Sequence, residues 1–417
     1  MNGVFFSMIE IYKVIGIISI SIVNVPNLRF PGFEGEWGKL KVKEFTKVVA
    51  GATPATDRKE YWGGSIRWMN SGELNLKRVY EVQGRITQLG YDKTSTKIIP
   101  SHSVLIGLAG QGKTRGTAAM NYVELCTNQS IASILPSDLF YPEFLYQNIE
   151  SRYKELRDIS SGDGGRGGLN LQMIYNLYIP LCSIQEQKKI GEFLYLLDQR
   201  ITIQNKVIED CITLEKEIQN QVFGQISAPL VPLSSISQRV TEKNTALESD
   251  NVLTISAREG LVSQLEFFNK SVASENLSNY YLLRNGDFAY NKSYSNDYPW
   301  GAIKHLEKYD TGVLSPLYFC FRPNKEMVDT KYLQFFFDAK LWHKHIAEIA
   351  VEGARNHGLL NMSVGSFYSM PILLPKMHDQ QTIAEKLSAF QRKRTVEESI
   401  LNSLLTQKRF LLESLFI

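Results

Sequence analysis

The 417-residue sequence predicts an α+β fold organised as an internal repeat. Two globular mixed α/β lobes are each followed by a long helix, and the two helices pair as a coiled coil with pseudo-twofold character. Three observations carry this. A segment beginning at Leu169 is echoed by one beginning at Leu360. Each echo runs into a helical stretch with apolar residues three and four apart. What precedes each helix is a mixture of short apolar strands and glycine-rich turns.

At roughly 100–200 residues per domain, the length accommodates two or three domains. Hydrophobic residues make up 43% and charged residues 21%, which excludes a disordered or collagen-like chain. The net charge of +3, from 46 Lys+Arg against 43 Asp+Glu, neither marks nor excludes a nucleic-acid binder, because a basic face can coexist with an acidic back. Cys126, Cys182, Cys211 and Cys320 lie far apart with no C-x-x-C, so a disulfide framework and a zinc knuckle are disfavoured and a reducing cytoplasm fits.

Residues 1–24 read as a non-core extension. Their apolar run VIGIISISIV (14–23) is too short to span a bilayer and lacks the basic flank of a signal peptide. The first lobe is placed at 25–183, opening on VPNLRFPGFEGEW, and its helix at 184–225. The second lobe is placed at 226–378 and its helix at 379–417. Leu-Asn, an apolar-Pro-apolar step (Ile179-Pro180-Leu181 and Met370-Pro371-Ile372), an acid-Gln pair (Glu186-Gln187 and Asp379-Gln380) and an Ile-small-Glu triplet (190–192 and 383–385) recur in order, with two extra residues before the second pair.

In the first helix the seam is Ile190, Leu194, Leu197, Ile201, Gln204, Ile208, Cys211, Glu215, Ile218 and Val222, with no Gly or Pro from Glu192 to Phe223. A period of 3.5 over several heptads favours a coiled coil, and at 1.5 Å per residue the helix is roughly 60 Å long. The second seam is Ile383, Leu387, Phe390, Leu401, Leu404, Leu411 and Leu415, broken near Arg394. Two helices with such similar starts are expected to pair with each other rather than each on its own lobe.

These residues resemble the specificity subunit of type I restriction-modification enzymes over nearly the whole chain from Val25. Asn27–Phe33 resembles the family's opening. Gly51-Ala-Thr-Pro-Ala-Thr followed by Glu60-Tyr-Trp-Gly-Gly and Ile66-Arg-Trp resembles the start of a target-recognition domain. Cys126-Thr-Asn-Gln-Ser resembles a short motif of such domains, and Ile179-Pro-Leu with Gln185–Ile190 resembles the start of the central conserved helix. The second half departs: its opening at Ala228-Pro-Leu-Val-Pro-Leu lacks the Gly-Thr-Pro box, and Pro375-Lys-Met-His precedes Asp379. The resemblance implies two target-recognition domains separated by two antiparallel helices. It also implies no catalysis and no cofactor in this chain; S-adenosylmethionine, ATP and Mg belong to partner subunits. Those partners are two methyltransferase subunits docked on the helices and recognition domains, and restriction/translocase subunits. The DNA target is double-stranded and bipartite, with an unread spacer, and no membrane is involved. Base edges on one face of B-DNA recur about every 34 Å, so two lobes on one rigid rod fix the separation of two half-sites.

Other motifs point elsewhere. Gly107–Thr114 matches the G-x4-G-K-T phosphate loop and would support a nucleotide-binding enzyme, but such a loop opens a helix, and Arg115–Ala119 reaches only a short stretch. Asp297-Tyr-Pro-Trp differs by Tyr298 from the D-P-P-W box of amino-methyltransferases and reads better as a turn or a DNA-contacting loop. His343 and His345, two apart on a helix, face apart, which is poor metal geometry; no metal site and no catalytic triad or carboxylate pair stands out. A coiled-coil adaptor whose lobes bind protein is a further alternative.

Arg and Lys suit guanine edges, Asn and Gln suit adenine, and both sets suit phosphate. In the first lobe the candidate contacts are Arg58, Lys59, Tyr61, Trp62, Arg67, Lys113, Thr114, Arg115 and Arg166, of which Trp62 also fits a core position. In the second lobe they are Arg258, Lys292, Tyr294, Asn296, Arg355 and Asn356. Arg166 precedes Leu169-Asn170 as Arg355 precedes Leu360-Asn361, which makes them a matched pair.

Overall fold

The computed structural model describes residues 24–110, 112–160, 167–256, 260–268, 276–293, 298–350 and 359–417. The chain divides into two compact units. The first holds residues up to Gln204 together with Ile400–Ile417, and the second holds Asn205–Ser399. Of the expectations above, the extension before Asn24, Arg166, Arg258, Tyr294, Asn296, Asp297, Arg355, Asn356 and His357 lie outside the described residues.

The first unit runs β1 (Gly38–Lys41), α1 (Val42–Phe45), β2 (Val48–Ala50), β3 (Trp62–Met69), β4 (Arg78–Val79), β5 (Arg85–Ile86), α2 (Gln88–Asp92), β6 (Val104–Gly107), β7 (Ala118–Asn121), β8 (Cys126–Thr127), β9 (Ile131–Ile134), α3 (Pro142–Ser151), α4 (Tyr153–Ile159), α5 (Leu171–Tyr175), β10 (Tyr178–Leu181) and the start of α6 (Ile184–Gln225). The second runs β11 (Leu230–Pro232), α7 (Leu233–Ile236), β12 (Ser237–Arg239), β13 (Leu253–Ser256), β14 (Gly260–Ser263), α8 (Gln264–Phe268), β15 (Tyr281–Arg284), β16 (Phe288–Asn291), β17 (Ala302–His305), β18 (Thr311–Leu314), β19 (Phe319–Pro323), α9 (Thr330–Asp338), α10 (His343–Ile349), α11 (Val364–Tyr368), β20 (Pro371–Leu373) and the start of α12 (Met377–Leu415).

The repeat is present in the topology. The first unit's main sheet has the order β2-β9-β6-β7-β4 and the second's β12-β19-β16-β17, so strands of equivalent rank occupy equivalent places. In each unit the strand before the long helix pairs antiparallel with the first strand: β10 with β1, and β20 with β11. The single turns α1 and α7 both bury their first and fourth residues, Val42 and Phe45 in one, Leu233 and Ile236 in the other. That spacing puts both side chains on one helical face.

The cores differ in character. In the first unit Val104, Ile106, Met120 and Ile134 from the sheet meet Leu145, Tyr146 and Ile149 of α3. The second is dominated by aromatic rings: Phe288 stacks on Phe321 at 5.2 Å and Tyr290 on Phe367 at 4.9 Å, with Phe337 and Trp342 beside them. Each fully buried side chain of this size contributes about 1.5–3 kcal/mol.

The recurring acid-Gln pair has a structural role. Gln187 Oε1 accepts from the Tyr141 N–H at 2.8 Å, and its Nε2 donates to the carbonyls of Cys182 at 2.9 Å and Leu139 at 3.3 Å. Gln380 Oε1 accepts from the Asp329 N–H at 2.8 Å, and its Nε2 donates to the carbonyls of Pro375 at 2.9 Å and Met327 at 3.2 Å. Each buried glutamine ties a long helix to the start of the helix packed against it, α3 or α9. The small residue that follows allows close approach: a Cβ on Gly191 would sit 2.9 Å from the Phe144 nitrogen, and its counterpart Ala384 is buried. The acids diverge, since Glu186 is buried in a two-bond pair with Arg29 (2.7 and 2.8 Å) and Asp379 is exposed. The Leu-Asn echo also diverges in role. Asn170 caps α5 by accepting from the Met173 N–H, whereas Ser363 performs that task for α11.

All ten α6 seam positions lie on its buried or half-buried face. In the first unit Ile190, Leu194 and Leu197 share a cluster with Leu404, Leu411 and Leu415, with Ile201 packed against it, and Lys408 reaches Asp198 at 2.6 Å. In the second unit Phe223 and the half-buried Ile218 share a core with Leu387 and Ile383, and Arg394 reaches Glu215 at 2.9 Å. In the second unit higher α6 numbers meet lower α12 numbers, so the segments run antiparallel there. Ile208 is buried, and Val222, Phe390 and Leu401 are half-buried. The break in the second seam at Arg394 is an ion pair rather than a loss of packing.

Burial of the second unit's His305, stacked on Phe288, pulls its imidazole down to about 4, and burial with the nearby Lys340 does the same for His343. The unfolded imidazole titrates near 6.5, so between these values the unfolded chain binds more protons. Stability is therefore full above about pH 6.5 and falls as the pH drops toward 4, by roughly 2 kcal/mol for the well-buried His305. Melting temperatures measured from pH 7 to 4.5 are expected to decline, and less steeply in a His305→Phe variant.

Candidate nucleic-acid interface

Three stretches far apart in sequence, 51–56, 60–68 and 126–130, converge in the first unit. Strand β3 pairs in parallel with β8, Trp68 opposite Cys126 and Met69 opposite Thr127. The chain leaving β2 passes so close to Thr127 that a Cβ on Gly51 would lie 1.8 Å from its carbonyl oxygen, which is why glycine stands there. Thr53 Oγ1 bonds Gln129 Oε1 at 2.6 Å, and the Trp68 indole N–H donates to the Ala52 carbonyl at 3.0 Å.

This node absorbs part of the candidate set. The Trp62 ring packs edge-on to Trp68 at 5.0 Å and its N–H donates to the Ala55 carbonyl at 3.2 Å, so Trp62 acts in packing. Arg67 spends its guanidinium fork on Glu81, at 2.9 and 3.1 Å, and this bond together with the Val82 N–H pulls the Glu81 carboxyl down to about 2. Arg58, 3.6 Å from Glu60, and Lys59 are exposed on the same surface, with Tyr61 half-buried.

A second grouping occurs in both units at the residue that follows the central strand. Leu108 follows β6, and its carbonyl accepts from the Leu169 N–H at 2.9 Å; Lys292 follows β16, and its carbonyl accepts from the Leu360 N–H at 3.0 Å. The leucines that begin the sequence repeat are thus fixed to the same corner of each sheet. In the first unit this corner carries exposed Lys113, half-buried Thr114 and Arg115, whose guanidinium bonds the Gly167 carbonyl. In the second it carries Lys292, its Nζ 4.7 Å above the Phe319 ring, and Ser293 bridged to Leu359. Gly167 and Leu359 are the described residues that flank Arg166 and the Arg355-Asn356 segment, respectively.

The phosphate-loop reading of Gly107–Thr114 does not hold. The segment lies in the connection between the antiparallel strands β6 and β7, and no helix follows. Its ends are tied into the sheet and to α4: the Gly107 N–H donates to the Thr117 carbonyl at 3.0 Å and the Leu108 N–H to the Ser130 carbonyl at 2.8 Å, while the Gly112 carbonyl accepts from Arg157 at 2.7 Å and the Lys113 carbonyl from the Tyr153 hydroxyl at 3.3 Å. A nucleotide loop needs inward-facing N–H groups at a helix start. Tyr298–Gly301 forms a turn before β17, with the Gly301 N–H donating to the Tyr298 carbonyl at 3.1 Å. His345 Nε2 lies 3.0 Å from the Ser366 carbonyl oxygen, and among the described residues no three His, Cys, Asp or Glu are grouped to hold a metal. Also among them, no helix is long and apolar enough to cross a membrane. Sequence reasoning missed the Arg29–Glu186 pair and Arg78, whose partners lie 157 and up to 120 residues away.

Geometry of this kind defines a duplicated α/β module with a cationic corner in each copy. Residues 34–222 match the type I restriction modification DNA specificity domain. It is 31% identical over 182 residues to the type I restriction enzyme MjaIX specificity subunit of Methanocaldococcus jannaschii, a match covering 42% of this chain and 41% of that one. It is 27% identical over 195 residues to the EcoR124I/EcoR124II specificity subunit of Escherichia coli, covering 46% of each. These matches span less than half of the relatives' own length. Among solved structures, the S subunit of the type I restriction-modification system from M. genitalium has the same fold at 16% identity, with a TM-score of 0.57 over 94% of this chain and 99% of that one. A chain from a study of complex assembly and conformational transition in a type I system gives 0.55 at 14% identity over 94% and 99%.

Proposed function

We propose that this chain supplies DNA sequence specificity to a type I restriction-modification complex and performs no chemistry itself. Each unit reads one half of a bipartite, asymmetric duplex target. The paired helices set the spacer and dock two methyltransferase subunits, with restriction/translocase subunits completing a cytoplasmic assembly. S-adenosylmethionine, ATP and Mg are bound by those partners. The observation that carries this reading is the repeated corner: equivalent strands deliver Lys113 with Arg115 in one unit and Lys292 in the other beside the same repeat leucine. Cations suit both phosphate and guanine edges, and two copies suit two half-sites. Exposed Leu196 and Ile203 on one part of α6, and Ile212 and Leu214 on another, offer apolar surface for protein docking. Methylome sequencing of a host with and without the gene tests it. One interrupted asymmetric adenine-methylated motif should vanish on deletion, and an unchanged set of motifs would overturn the reading.

A further inference from the structure

In the first unit, six charged groups meet around Arg78 of β4, from β4 and the residue before it and from the helices α3, α6 and α12. Its guanidinium bonds Glu143 of α3 and lies 3.0 Å from Asp198 of α6. Lys408 of α12 bridges Asp198 at 2.6 Å and Glu150 of α3 at 3.0 Å. Glu150 also takes Lys77, at 3.3 Å. Gln147 donates to Asp198 at 2.8 Å. Three cations match three anions, and the Arg78, Asp198 and Lys408 side chains are only 12%, 14% and 16% exposed, so solvent screens them weakly. Such a network demands one geometry, because a displaced partner leaves a desolvated charge unmatched.

Two features connect this network to the candidate DNA corner. Strand β4 pairs in parallel with β7, Arg78 opposite Met120, and the Met120 N–H donates to the Lys77 carbonyl at 2.8 Å. Strand β7 begins at Ala118, three residues after Arg115. Lys77 also holds a φ of +62°, a strained conformation for a side-chain-bearing residue that persists only where its surroundings over-determine it. The long helices thus hold Arg78, Arg78 holds β4, and β4 holds the strand that carries the cationic loop.

We infer that Arg78, Asp198 and Lys408 are positioning residues that set where the first unit's reading loop stands on the long helices, and so tune the selectivity of one half-site only. This rests on the specificity reading above. The test uses the full chain, alone and in complex with its modification subunit, as wild type, Lys408→Met, Lys408→Arg and the near-isosteric Asp198→Asn. In the chain alone, hydrogen exchange at Met120 and Tyr122 should quicken about tenfold in Lys408→Met and stay near wild type in Lys408→Arg. In the complex, methylation of a duplex pool randomised at each half-site should show about tenfold weaker discrimination in one half and none of that loss in the other. Should Lys408→Met fail to fold, Asp198→Asn carries the same two readouts. A folded variant with unchanged exchange and unchanged discrimination overturns the inference, as does equal loss in both halves. A wild-type complex that methylates no specific motif overturns the specificity reading instead, while the exchange result still judges the Arg78 lever.

Discussion

Replacing Gln380 with leucine is expected to destabilise the second unit by about 3–4 kcal/mol, and Gln187→Leu the first by a similar amount. Each side chain makes three hydrogen bonds while almost fully buried. A typical internal hydrogen bond contributes only about 1 kcal/mol net, but leucine would also strand the Asp329 N–H and two carbonyls without partners. The loss should exceed that of an exposed neighbour such as Gln381→Leu, which is expected to fall within about 0.5 kcal/mol of wild type. Urea unfolding followed by far-ultraviolet circular dichroism, with hydrogen exchange assigning the loss to a unit, measures both. Near-equal effects in the two units would establish the repeated glutamine as the fastener of each long helix. A Gln380→Leu variant as stable as wild type would show that water or backbone rearrangement satisfies those groups.

The second large effect is expected at Gly51. A methyl group there meets the Thr127 backbone, which cannot swing aside as a side chain can. Gly51→Ala should cost about 3 kcal/mol and loosen the junction that also holds Trp62, Trp68 and Gln129. Its measurable sign is a lower urea midpoint together with red-shifted tryptophan emission. Gly63→Ala is a useful contrast: nothing crowds that position, and its φ of +80° leaves backbone strain alone as the cost. Equal stability of Gly51→Ala and wild type would contradict the close approach of the two motifs.

Much of the architecture was legible because it follows from local periodicity. The 3.5-residue stripe from Ile190 to Val222 reports a helix face directly, and every position in it turns toward packing. The echo from Leu169 and Leu360 was legible for a related reason, since in both copies a buried glutamine and a small residue stand where the long helix packs closely on its neighbour. The site was harder to see. Trp62 and Arg67 had the right chemistry for DNA, but one indole N–H and one guanidinium fork are consumed by partners 7 and 14 residues away. The Arg78 network joins residues separated by 51 to 258 positions, so no sequence window contains it. The Gly107–Thr114 match is discounted from the sequence because no helix opens after it, and the structure places the segment between two antiparallel strands.

The ion pair of Arg394 with Glu215 bears on how two such helices find each other. A wholly apolar stripe would tolerate sliding, because one leucine satisfies a hollow as well as another. Moving α12 by one heptad would set this guanidinium against Ile208 or Val222 and leave the carboxylate facing hydrocarbon. Offset alignments are thereby penalised more heavily than the correct one is rewarded, and the mismatch in charge acts as an indexing pin for the pair.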